Sequence, residues 1–326
     1  GGGGGGAGRY GRRMSARAWA GFAAMSVFWG VSYLFIKIAV DGGLPPAFVA
    51  WSRVSLGAAV LLALALRAGV MTGLRGRARW LLAYALCEIT FPFPLIAAGE
   101  RHIDSSLAAI LIAAAPLLVA VLALRFDADE RVTGQRLVGL LIGFGGVIAL
   151  VGIDVVGRTD ELLGALAVLL AALGYAAGPM ILRRHLADLD PRATMGACLL
   201  IAAVLLTPLT AATLPSKAPT AGAVVAIVVL GLLCTAAAFV IFNRLIAEIG
   251  AGRALVITYV NPVVAVAAGM AVLGERPGAG AIAGLLLILA GSWLSTDGRL
   301  PPGFGAVLSR RRGRRPAPPA GEASAP

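Results

Sequence analysis

Ten stretches of apolar residues, each long enough to cross a bilayer and separated by short polar links, dictate what this chain can become. They cover 18–40, 47–66, 80–99, 105–124, 137–153, 161–182, 193–214, 221–246, 254–273 and 279–296. A helix rises about 1.5 Å per residue, so roughly 20 residues span a hydrocarbon core about 30 Å thick. Lipid offers backbone N–H and C=O groups no partners, which leaves only helices and closed barrels as spanning structures. Barrel strands are about half as long and alternate apolar with polar residues, a pattern absent here. The expected fold class is therefore an all-α integral membrane protein with ten transmembrane helices. With 59% hydrophobic and 13% charged residues among 326, the chain carries more apolar side chains than a water-soluble globule could bury. The first run is followed by no small-residue cleavage site and reads as a span rather than a removable signal.

Residues 1–17 and 298–326 are Gly, Pro and Arg rich and read as disordered basic tails. The net charge of +12 matters through its placement. If the ten spans alternate sides, 22 of the 28 Lys and Arg fall on the side of the two tails, with Arg101, Arg158, Lys217 and Arg276 opposite and Lys37 and Arg53 within spans. That asymmetry places both termini in the cytoplasm of a bacterial inner membrane, by the positive-inside bias. The tails then meet anionic lipid headgroups, and no nucleic-acid partner is implied. Cys87, Cys198 and Cys234 all lie in apolar spans and read as small packing residues.

The second half repeats the first. At an offset of 146, Pro116 falls on Pro262, Trp29 on Tyr175 and Lys37 on Arg183. One residue is lost further on, and "ERVTGQRLVGLLIGFGG" from Glu130 then reads against "ERPGAGAIAGLLLILAG" from Glu275. Two five-span units result, 18–153 and 161–297. Five is odd, so the second unit enters the membrane from the opposite side, and inverted repeats follow. Pro116 and Pro262 each remove an N–H and free a carbonyl inside a span. Among Ala and Leu, Pro116 reads as a packing kink, whereas Pro262, beside Asn261 and Tyr259, reads as part of a site.

"FWGVSYLFIK" in span 1, "LPPAFVAWSR" entering span 2, the proline-centred spans 4 and 9, and the two "ER" loops each followed by a Gly-studded span resemble the EamA family of the drug/metabolite transporter superfamily. The resemblance runs over about residues 18–297. It implies a ten-helix bacterial inner-membrane carrier exporting amino acids or related metabolites, with spans 1–4 and 6–9 around a midplane cavity and spans 5 and 10 at the periphery.

Polar groups inside the spans are the candidate site. Arg53 lies about two turns into span 2, where its planar fork suits a carboxylate or phosphate; the plainer role is to tie helices by bonding carbonyls. Lys37, near the outer end of span 1, can meet an anion or snorkel outward. Glu88 in "LCEIT" of span 3 can carry a proton if it faces a cavity, or cancel the charge of Arg53. Pro92 and Pro94 follow it and imply a broken helix. Trp29, Tyr33, Tyr175 and Tyr259 offer aromatic faces and Asn261 an amide, while Trp19, Trp80 and Trp293 read as interfacial anchors. The Gly series of spans 5 and 10 permits close helix approach and could also support a homodimer. No cofactor or metal is expected, since His102 and His185 stand alone in loops and no nucleotide motif occurs. No Ser or Cys has the base partner of nucleophilic catalysis, so an enzyme is not expected. The sequence leaves two readings: a secondary carrier of a small amphipathic metabolite, driven by protons or by the solute's own gradient, and a non-transporting scaffold or sensor with an inherited carrier fold.

Overall fold

The computed structural model of the protein describes residues 15–118, 121, 134–155, 157–249 and 257–295. All ten apolar runs are helical there: α1 Ala16–Asp41, α2 Pro46–Arg67, α3 Ala78–Gly99, α4 Ser105–Leu118, α5 Leu137–Ile153, α6 Thr159–Leu186, α7 Pro191–Ala212, α8 Ala221–Ile246, α9 Ile257–Leu273 and α10 Ala279–Leu294. Six of these have the length and hydropathy to cross a membrane as they stand; α4, α5, α9 and α10 are shorter over the described residues. The two basic tails up to residue 14 and from 296, the inner end of span 4 and the Glu130–Arg131 loop lie outside the described residues.

Local chemistry sets the helix starts. Ser15 and Thr220 accept from backbone N–H groups of Ala18 and Ala223, and Asp190 accepts from Arg192 N ahead of Pro191 in the first turn of α7. Large apolar side chains such as Leu66, Leu141, Ile148, Val225 and Leu286 are mostly exposed. Oil-facing walls around a packed interior are the reverse of a soluble domain and fit a multi-pass membrane protein.

The packing follows the repeat. α2 lies along its counterpart α7, and α5 along its counterpart α10. α1 packs on α8 and α9, while α6 packs on α3 and α4. Exchanging the halves therefore maps the contact pattern onto itself. The helix interruptions repeat too: a wider, π-type turn over Leu86–Thr90 in α3 has its counterpart at Leu232–Ala237 in α8, offset by 146. Such turns insert a residue into the i→i−4 ladder and commonly mark functional positions. In α3 this break precedes Pro92 and Pro94, as the sequence implied. The prolines of the pseudo-symmetric pair differ: the helix tightens at Ala113–Ala114 just before Pro116, but Pro262 sits within the continuous helix Ile257–Ala268.

Links group on two faces as an odd-numbered repeat requires. On one face, Arg77 donates to the His185 carbonyl at 2.6 Å and pairs with Asp188 at 2.8 Å, Trp80 stacks on His185 at 3.4 Å, and Ser15 bonds Glu248. On the other, Thr220 N donates to the Gly42 carbonyl at 3.2 Å, and Glu275 accepts from Ser105 N at 2.9 Å and Ser106 N at 3.0 Å, capping α4 across the halves. His102 and His185 thus lie on opposite faces.

The glycines of α5 and α10 bring these two helices together. A methyl built at Gly291 would stand 2.4 Å from Gly143 N and 2.5 Å from Gly139 O, and one at Gly146 would meet Gly284 O at 3.0 Å. Gly145 faces open space. The close approach therefore serves contact within one chain. Gly291→Ala is expected to lower stability by about 1–3 kcal/mol through overpacking against backbone, read as an earlier unfolding midpoint in mild detergent; an unchanged midpoint would contradict the helix pairing. Single cysteines at Arg75 and Asp188 should both label from one side of sealed vesicles, and cysteines at Gly43 and Lys217 from the other.

Candidate functional site

Arg53 is buried at the centre of the bundle. Its Nε donates to Thr235 Oγ1 at 2.8 Å, its Nη2 reaches the Cys234 carbonyl at 3.5 Å, and its guanidinium lies 4.3 Å over the Phe93 ring. Thr235 in turn donates to the Leu230 carbonyl at 2.8 Å, so the acceptor is held by the α8 π-turn itself. α2 can come this close because Gly57, one turn from Arg53, has no side chain; a methyl there would stand 2.7 Å from Thr235 Cγ2. Tyr33, Tyr175 and Glu100 are within electrostatic reach of the guanidinium. All of its bonded partners are neutral, so the positive charge is held in place but not cancelled.

Glu88 stands in the matching π-turn of α3, where α8 carries Cys234. Its Oε2 is buried without a hydrogen-bond partner, as is Thr90 Oγ1 two residues on. The carboxylate packs onto Gly178 of α6, where an added methyl would come within 3.1 Å of the carboxyl carbon. Its electrostatic neighbours are Tyr84, Tyr175, Cys87 and Cys198. Pairing between Glu88 and Arg53, the charge-cancelling alternative, is not what the structure shows. Symmetric positions thus carry different chemistry: Arg53 opposite Leu199 on α2 and α7, Glu88 opposite Cys234 on α3 and α8.

The remaining candidates divide into two groups. Tyr33 and Tyr175 join Arg53, packing among Ile36, Ala97, Ala171 and Cys234. Trp29 instead meets Phe239 and Phe242 of α8, with ring centroids 6.0 and 4.9 Å apart, in a cluster nearer the face of the chain's first helix turn. Tyr259 packs on the same cluster, and its hydroxyl donates to the Ser292 carbonyl of α10 at 3.3 Å. Asn261 keeps a buried, unpartnered Oδ1, and its carbonyl lies beside Gly30 of α1. Lys37 sits at the opposite face, donating to the Glu100 carbonyl at 2.7 Å and 3.4 Å from Asp41.

Sequence reasoning missed Phe93, Thr235 and Glu100. Phe93 and Thr235 carry no signal in a run of apolar residues. Glu100 had one, since it directly follows an apolar span, but its full burial is decided by tertiary packing. A separate recess of about 280 Å³ opens on its face, lined by His102, Asp104, Arg158, Glu161 and Arg276.

Two halves of this chain, residues 17–152 and 162–296, each match the model of the EamA-like transporter family. The chain belongs to the EamA-like transporter family. An uncharacterized transporter of Bacillus subtilis, YoaV, is 24% identical over 280 residues, covering 85% of this chain and 95% of that protein. A probable terminal-alkyne amino-acid exporter of Streptantibioticus cattleyicolor is 31% identical over 295 residues, covering 85% and 94%. A solved crystal structure superposes with a TM-score of 0.62 at 22% identity over 87% of this chain and 98% of that one, a likeness in fold. This EamA-like protein is thus a membrane transporter built from two family repeats, in the ten-helix arrangement of the drug/metabolite transporter superfamily.

Thr235→Val should leave Arg53 Nε buried without its acceptor and cost about 1–3 kcal/mol of stability. In a double-mutant cycle with Arg53→Met, the coupling should exceed about 0.5 kcal/mol. Additive effects would show that the bond contributes nothing.

Proposed function

We propose that this EamA-like transporter exports small amphipathic metabolites, amino acids first, by alternating access between its inverted halves. The observation that carries the reading is Arg53, a guanidinium fixed at the bundle centre by neutral acceptors and walled by Phe93, Tyr33 and Tyr175. A buried charge costs at least about 2.5–3.5 kcal/mol at mid-membrane, so its retention calls for an anionic visitor. The carboxylate of the cargo meets Arg53, its apolar part the tyrosines and Trp29, and Asn261 and Tyr259 line the path on the α9 side. Lys37 attracts or releases the anion at the outer end, and Glu88 is a proton carrier facing the same space through Tyr175. Pro262 and the two π-turns provide the places where α8, α9 and α3 can bend during rocking; Pro116 is the packing counterpart.

The similarity to a probable amino-acid exporter supports the cargo class. The excess of Lys and Arg on the face holding Arg75, Arg77, Arg183 and Arg184 supports a bacterial inner-membrane protein with both termini in the cytoplasm. The driving force is a proton gradient or the solute's own gradient.

Counterflow tests the proposal. Purified protein in liposomes preloaded with unlabelled amino acids should accumulate labelled solute transiently, and Arg53→Ala should reduce this to background while inserting normally. Unchanged counterflow in that variant would remove Arg53 from the site. A folded wild-type protein that exchanges nothing across a broad metabolite panel would favour the scaffold reading.

A further inference from the structure

Glu100 ends α3 at the face where Lys37, Asp41 and Gly42 gather, and it is completely buried, with 0% of its surface exposed. Neither Oε1 nor Oε2 has a hydrogen-bond partner. The nearest cation does not pair with it: Lys37 Nζ donates to the backbone carbonyl of Glu100 at 2.7 Å and leans toward Asp41 at 3.4 Å. The carboxyl is sealed in by close packing, because Gly99 beside it is pressed against α6, where a methyl would stand 2.5 Å from Val168 Cγ2 and 2.8 Å from the Gly164 carbonyl.

Charged and titratable groups reach it electrostatically from several elements. α1 brings Lys37, Asp41 and Tyr33, α2 brings Arg53, and the link before α10 brings Glu275. Asp104 and the exposed Arg101 and His102 follow in the chain, with Glu161 of α6 beside Asp104. Glu275 is already committed as the acceptor of Ser105 and Ser106 at the start of α4. Burial away from water first, and then the carboxylates of Glu275 and Asp41, disfavour an ionised Glu100 in this closed arrangement by more than Lys37 and Arg53 favour it. An unpaired buried carboxylate resolves its desolvation cost by taking a proton.

We propose that Glu100 is a proton-binding site whose occupation permits the outer gate to close. The inference rests on the carrier reading above. In the open gate, water reaches the carboxyl and Lys37 can swing from the Glu100 carbonyl onto the ionised Oε atoms. Uptake of one proton from that water gives the neutral acid, frees Lys37 for its carbonyl and Asp41, and lets α3 seal against α1 and α6. When the opposite side opens, water enters from that side, Lys37 moves from the carbonyl onto the Oε atoms, and the same proton departs to the central space shared with Tyr33 and Arg53. The sign follows: closure favours the protonated form, so lowering the outer pH promotes closing and raising it promotes opening. Each turnover then returns one proton for each solute carried out.

Two measurements test this with the full-length protein. In proteoliposomes, the wild type should show counterflow at equal pH and uphill accumulation under an imposed pH gradient, approaching about tenfold per pH unit for one-for-one exchange. Glu100→Gln should keep counterflow within about twofold yet lose the uphill accumulation, in the sense of a gate that no longer reads pH. Accumulation equal to wild type in Glu100→Gln, or a wild type indifferent to the gradient, overturns the proposal. Absence of wild-type counterflow instead sinks the carrier reading. Infrared difference spectroscopy of the purified protein decides the proton site whatever transport does: a protonated-carboxyl band should be missing in Glu100→Gln and retained in Glu88→Gln. Identical bands in wild type and Glu100→Gln overturn it.

Discussion

Every feature of this molecule follows from the demand that backbone polar groups in lipid be satisfied within the chain, applied to ten spans in two sets of five. An odd set reverses the second unit, and counterpart helices then run in opposite directions through the same symmetry. α2 against α7 and α5 against α10 are those self-counterpart pairs. They form where small residues allow it, as Gly146, Gly284 and Gly291 do between α5 and α10. With the fold held at these seams, the other helices surround a central region that neither half owns.

In that region the symmetry of the backbone and the asymmetry of the side chains separate. The π-turns of α3 and α8 fall 146 residues apart, yet one presents Glu88 and the other Cys234 and Thr235. Only the second has a guanidinium to hold. A fold that can exchange its halves thus carries its cation on one helix and its carboxylates on another. Glu88 lies in α3 and Glu100 directly follows it, and Tyr175 is within electrostatic reach of both Glu88 and Arg53.

Symmetry, proline positions and helix seams describe the frame; the ionisable groups within the spans are few and lie among apolar neighbours. Arg53 is the clearest of them because its cost in a membrane is high and its partners are neutral. Tyr259, by contrast, directs its hydroxyl to α10, and Trp29 lies among α8 aromatics, so these two stand apart from the surroundings of Arg53.

Ten helices, the inverted repeat and the charge bias were legible in the sequence because hydrophobic run length, the 146-residue offset and loop composition are one-dimensional quantities that lipid reads directly. Arg53 and Glu88 were legible for the same reason, as ionisable residues where the surroundings should exclude them. Which partners they take was not: Thr235 lies 182 positions from Arg53, and Gly57 and Gly178 matter only because helices from the other half pass there. The surroundings of Glu100 likewise come from residues distant in sequence, Lys37 of α1 on its carbonyl and Gly164 and Val168 of α6 against the neighbouring Gly99. Run length is set by the bilayer alone, whereas the fate of a single charge is set by the distances among helices, and those exist only once the two halves are packed together.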